Sequence, residues 1–112
     1  MLALSIRQPY AEEILRGMKV VEYRSGRTWV IGRRFYIYAS RTAARGEDIA
    51  GRFAWLGEEP GGLPVGQLVG TAVICRCTGE RGSFEWHLSA VRRLKRPRKP
   101  RKHPQPVWFE PF

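Results

Sequence analysis

Lys19, Glu22 and Arg24 stand within "GMKVVEYR" (17–24), where charged side chains interrupt an otherwise apolar strand. A glutamate flanked by two cations can pair with them and orient the strand, a surface or barrel-mouth ion pair of modest worth. Because the set is net positive, it can also bind an anion while the glutamate accepts hydrogen bonds from base or sugar groups. A further chemistry is hydrolytic: Glu22 as general base on water, with Lys19 stabilising an oxyanion. Geometry decides among these. If the strand begins at Lys19, alternation puts Glu22 and Arg24 on one face and Lys19 on the other. If residues 17–19 are still turning, Lys19 swings round to join them. The spacing leaves both open.

A second concentration of charge lies downstream. Residues 92–102, "RRLKRPRKPRK", carry eight Lys/Arg and no acid, within a chain of 112 residues and net charge +10. The remainder holds 12 basic and 10 acidic residues, a net charge of +2, so the field comes from this run. Pro97, Pro100, Pro104 and Pro106 keep residues 92–106 extended, which reads as a solvated cationic arm. Such an arm attracts polyanions over about one Debye length, ~8 Å at physiological salt. Arg92, Arg93, Lys95, Arg96, Arg98, Lys99, Arg101 and Lys102 are its candidate phosphate contacts. An anionic membrane is the rival target, but no amphipathic helix or lipid anchor accompanies the run.

Metal and redox chemistry find little support. Cys75 and Cys77 sit two apart in "VICRCTG", too close for an unstrained bridge along a strand. Without a second Cys/His pair they lack the ligands of a zinc site, and His87 and His103 are scattered. The thiols read as reduced and structural, and no cofactor or metal is expected. The opening "MLALSIRQPYAEE" has no basic leader and meets two glutamates by residue 13. That argues against a signal peptide and for a cytoplasmic location. No apolar run approaches the ~20 residues needed to cross a bilayer, so no membrane is expected among the partners. A monomer is the default.

Elements must now position these groups. "LALSIR" (2–7) reads as a short, partly buried strand. Pro9 opens a helix over "PYAEEILRG", with a Tyr10, Ile14, Leu15 stripe and Gly17 as its left-handed stop. "KVVEYRS" is a strand, and "RRFYIYAS" (33–40) a central one, with Phe35, Ile37 and Ala39 on one face and Tyr36, Tyr38 and Ser40 on the other. Residues 46–56 carry an Ile49, Ala50, Phe53, Ala54 helical stripe. A Gly/Pro loop (57–66) precedes strands over 67–77 and 83–94, and "PVWF" supplies a last short one. Trp29, in the loop after "KVVEYRS", is the tryptophan expected to be exposed and to stack on a base. Trp55, Trp86 and Trp108 are expected in the core. The sum is a single domain (1–112) of mixed α/β class, mainly β: a small, partly closed barrel of five or six strands with two helices packed at its ends.

Gly17-x-Lys19-x-x-Glu22-x-Arg24, preceded by "LSIRQPYAEEIL", resembles the signature of the ASCH (activating-signal-cointegrator homology) domain family, which is similar to the PUA domains of RNA-modifying enzymes. "FYIYAS", "LPVGQLVGTAVI" and "FEWHLSAVRRLKRP" extend the likeness, in consistent order, over residues 3–97. The resemblance implies a PUA-like barrel with a cleft beside the first helix and RNA, or another nucleic acid, as partner. Carried over by position, Lys19, Glu22 and Arg24 line that cleft; Arg7 and Gln8 border it and Ser40 forms a small polar wall. Two departures stand out: Tyr38 replaces the histidine that relatives often carry, and the Gly-Leu-Trp-like ending appears only as "PVWF". Some relatives are hydrolases, one group releasing acetate from an acetylated cytidine and others associated with ribonuclease activity. In the amidohydrolase group a threonine occupies the place of Glu22, with the lysine retained. The alternative to a binding domain is therefore a small nucleoside- or RNA-directed hydrolase with Lys19 and Glu22 in its pocket.

Overall fold

A computed structural model describes all 112 residues. Strands β1 (Ala3–Ile6), β2 (Val21–Arg24), β3 (Arg34–Ala39), β4 (Gln67–Glu80), β5 (Ser83–Arg98) and β6 (Trp108–Phe109) and helices α1 (Tyr10–Leu15) and α2 (Ile49–Trp55) follow in chain order β1-α1-β2-β3-α2-β4-β5-β6. The fold is the mainly β one expected, a six-stranded sheet of order β2-β5-β4-β3-β1-β6 curled into a half-barrel. β1 runs parallel to β3, and the other pairings are antiparallel. The two faces of β3 part as its alternation requires. Phe35, Ile37 and Ala39 enter the main core with Leu4, Ile6, Ile14, Ile74 and Trp86. Tyr38 packs on the other side with Ala3, Leu68 and Phe109.

The half-barrel is laced across its open seam by side chains. Trp86 of β5 and Trp108 of β6 stack with centroids 6.0 Å apart, and Phe35 meets Trp108 edge-on. Trp86 Nε1 donates to Gly26 O at 3.0 Å, holding the loop that follows β2. Helix α1 comes down close over β4 because Gly70 has no side chain. A Cβ there would collide with Leu15 Cδ2 and lie 2.6 Å from Arg92 O. Gly17, at φ +77°, ends the helix as expected.

Three expectations change. The basic run is not a free extended arm. Its first part continues β5, with Arg92, Arg93 and Arg98 opposite Thr71, Gly70 and Leu68. Beyond it the chain is tied down, since Arg101 N and Lys102 N both donate to the buried Pro111 carbonyl at 2.8 and 2.9 Å. Strands β4 and β5 run longer than read because cross-strand pairing carries β4 on to a tight turn at Arg81–Gly82 and β5 on to Arg98, opposite Leu68. Trp55 is 77% exposed rather than core; α2 is short, and Phe53, with Ile49 packed alongside and Leu56 beyond the helix, forms a satellite cluster with Leu63. Glu12 and Glu13, set early in α1 where the helix dipole favours them, are buried.

β5 carries a bulge where Ala90 and Val91 face Ala72 alone, and Ala90 adopts φ +49°. An L-residue in the left-handed region is strained by its Cβ. Ala90→Gly is expected to stabilise the fold by about 0.5–1 kcal/mol. A higher urea midpoint at unchanged slope would report it; an unchanged or lower midpoint would count against strain at this site.

Candidate nucleic-acid interface

The turn after α1 sets the first functional side chain. Glu13 O accepts hydrogen bonds from Met18 N (2.9 Å) and Lys19 N (3.2 Å), so the chain is still turning at Lys19. The lysine therefore swings round, with Nζ donating to Val21 O at 2.7 Å and lying 3.5 Å from Glu22 Oε1. Its ammonium also sits over the rings of Tyr10 and Tyr23. Glu22 and Arg24, two apart on β2, share the inward face. Arg24 Nε and Nη2 approach Glu22 Oε2 at 2.8 and 2.7 Å, and Nη2 also donates to Ser5 O on β1 at 2.8 Å. Arg24 thus stitches the edge strand β2 to β1 across the seam, over the face of Trp86. The Glu22 side chain is only 10% exposed, and burial of that kind is tolerable because two cations neutralise it.

Beside the triad opens a cleft of about 550 Å³. Ser5 and Arg7 come from the end of β1, Glu22 and Arg24 from β2, Tyr38 and Ser40 from the end of β3. Arg41 and Thr42 follow on the next loop, and residues 103–107 form the remaining wall. That wall is fixed to β1: Ser5 N donates to Val107 O at 2.9 Å and Ser5 Oγ to Gln105 O at 2.8 Å. Glu22 is the one carboxylate among the lining residues. A second hollow of about 490 Å³ adjoins through Arg41, His103 and Pro104 and adds Lys99, Arg101 and Lys102. On the other side a third hollow shares Arg24 and Val107 with the cleft and carries Trp29. Trp29 is 82% exposed and has Arg27 over its ring.

The family follows from this chain's own pattern: the ASCH domain model matches residues 4–108, a range that reaches into every element described. The chain belongs to the ASCH domain family. No curated protein matches it. ASCH domains are a PUA-like family often linked to RNA binding. No helix of this one is long and apolar enough to cross a membrane.

Placed in the ASCH domain, the sequence candidates divide. Arg7, Glu22, Arg24 and Ser40 line the cleft together. Lys19 touches Glu22 but is not among the lining residues. Gln8 is buried as a brace: Nε2 donates to Pro64 O and Oε1 accepts Glu12 N, both at 3.0 Å. Arg93 is committed elsewhere, its two terminal nitrogens donating to the two Glu12 oxygens at 2.9 and 2.8 Å. Arg98 stacks on Phe112, with Arg92, Lys95 and Arg96 exposed along β5. Tyr10, Tyr38, Arg41, Thr42, His103 and Gln105 also line the cleft, though none was among the expected site residues. Tyr38 was within reach, since it shares a strand face with Ser40. Residues 103–107 were not, because a fold-back wall leaves no periodic mark on a proline-spaced run.

Buried Glu12 shows what holds α1 to this surface. Burial pushes its pKa up, but hydrogen bonds from Arg93 and Arg16 outweigh that and hold it below the usual glutamate range. The same pairing raises the Arg93 pKa. Arg52, bonded to Glu13 at 2.8 Å, is raised in the same way.

Proposed function

We propose that this ASCH domain binds single-stranded nucleic acid, RNA foremost, along the three adjoining hollows. The observation that carries the reading is their continuity. Exposed Trp29 and Arg27 lie at one end, the cleft with its single carboxylate in the middle, and Arg41, Lys99, Arg101 and Lys102 at the other. Each part has a distinct physical task. Trp29 offers a face on which any base can stack. Glu22, held in place by Lys19 and Arg24, accepts hydrogen bonds from base amino groups or ribose hydroxyls, which a uniformly basic groove cannot offer. The lysines and arginines beyond Arg41 neutralise backbone phosphates without reading sequence. A paired duplex hides the base edges that Glu22 would meet, so single strands are favoured.

Fluorescence anisotropy with a labelled oligouridylate tests this. With four to six phosphate contacts, log Kd against log salt is expected to have a slope of about 3 to 4, at about 0.7 per contact. Trp29→Ala is expected to weaken binding by about tenfold, the lower part of the stacking range. No binding at low salt, or equal binding of a duplex and its separated strand, would overturn the reading.

A further inference from the structure

The donors that sequence spacing offered to an anion are already occupied: Lys19 and Arg24 are spent on Glu22, on Val21 O and on Ser5 O. Donors without partners line the same cleft elsewhere. Tyr38 is only 2% exposed, and its hydroxyl is the one buried side-chain polar atom of the protein with no hydrogen-bond partner. Such an orphan is costly and rare in folded proteins. Arg41 follows three residues later and takes part in none of the seven ion pairs. Both come close to Gly66. A Cβ built there would lie 3.3 Å from Arg41 Cγ, 3.8 Å from Tyr38 Oη and 3.9 Å from Arg41 Nε, so the bare glycine lets the arginine stem pack against it and brings both donor groups near one backbone position. Ser40, Thr42 and His103 line the same cleft, and no carboxylate stands among this group.

We infer that the Tyr38–Arg41–Gly66 corner binds a terminal phosphate monoester, either the phosphorylated end of a strand or a free nucleoside monophosphate. This rests on the proposed nucleic-acid reading and gives the cleft a polarity. A monoester carries close to two negative charges at pH 7 and three acceptor oxygens, whereas an internal diester carries one charge and two free oxygens. A planar guanidinium with a hydroxyl close by suits the former, because the guanidinium can take two oxygens side by side and the hydroxyl a third. The triad's donors are committed to Glu22, Val21 O and Ser5 O, which leaves the base or ribose to face the carboxylate.

Competition binding would use pentauridylates with 5′-phosphate, 3′-phosphate or hydroxyl ends, together with adenosine monophosphate and adenosine. At least one phosphorylated ligand is expected to bind about tenfold more tightly than its hydroxyl counterpart. That ratio should fall to within twofold in Tyr38→Phe and in Arg41→Gln. Tyr38→Phe keeps the ring on Phe109 and removes only an unpartnered hydroxyl, so its thermal midpoint should equal or exceed the parent's. Preference for adenosine monophosphate identifies a free nucleotide as the source, and preference confined to the strands identifies an end. A ratio near one for every pair in the parent, or a ratio that survives both substitutions, overturns the inference. Hydroxyl-ended strands that bind with no end preference overturn it alone. Adenosine monophosphate that binds where no strand does overturns the strand reading and leaves this corner standing.

Discussion

Arg24→Ala is expected to cost about 2–4 kcal/mol of folding stability and to abolish measurable nucleic-acid binding under conditions where the variant remains folded. The stability loss comes from what the guanidinium leaves behind. Glu22 is nearly enclosed and would keep only Lys19, 3.5 Å away, as a counter-charge. Removing one partner of a largely buried pair is costly because the survivor cannot return to water. Ser5 O would lose the donor that ties β2 to β1, and Trp86 the cation over its face. The binding loss follows from geometry rather than charge count. Glu22 is aimed into the cleft by its pairing with Arg24, and an unpaired carboxylate near the phosphates repels them. Arg24→Lys retains the charge but not the fork, so it should recover part of the stability and little of the binding. Urea unfolding and anisotropy on the same samples separate the two effects. An Arg24→Ala protein that unfolds at the parent's urea concentration would refute the stitching role, and unaltered affinity would refute the role of Glu22 orientation.

Glu12→Gln is expected to cost about 2–3 kcal/mol at pH 7. Its carboxylate accepts both terminal nitrogens of Arg93 and Nε of Arg16, and charge-assisted bonds of this kind exceed neutral ones in strength. The arginine ends are partly exposed and can turn to water, which keeps the cost below that of a fully buried pair. The pH dependence has a definite sign. Glu12 has a folded pKa below its unfolded value, so its contribution is complete above about pH 4.3 and is lost as pH falls through the folded pKa. The parent should therefore lose stability on acidification below about pH 4.3, and Glu12→Gln should show a shallower acid limb while being less stable at neutrality. Parallel acid limbs in the two proteins would place the acid sensitivity elsewhere.

Local pattern carried much of this fold. The alternation of Phe35, Ile37 and Ala39 against Tyr36 and Tyr38 assigns β3 its two faces, because a strand has a period of two and both sides are covered. Gly17 marks the end of α1, and Glu22 with Arg24 share a face for the same reason of period. Trp55 misled because an apolar stripe shows what a helix could bury and not what lies opposite it; in the short α2 its ring faces solvent. Gln8 and Arg93 misled in another way. Their side chains fit a binding surface as well as a brace, and the choice depends on Pro64 and Glu12, which are distant in sequence.

By itself, then, the sequence determined the family, the mainly β architecture, the strand faces and the shared face of Glu22 and Arg24, since each follows from residue order over short spans. Tertiary structure alone decided which charges are free. Pairing is fixed by through-space neighbours: β5 brings Arg93 back to α1, the 103–107 segment folds onto β1, and Gly66 arrives beside Tyr38 and Arg41 from the loop before β4. An electrostatic site is defined by what remains unneutralised after such contacts form, and that remainder has no local signature.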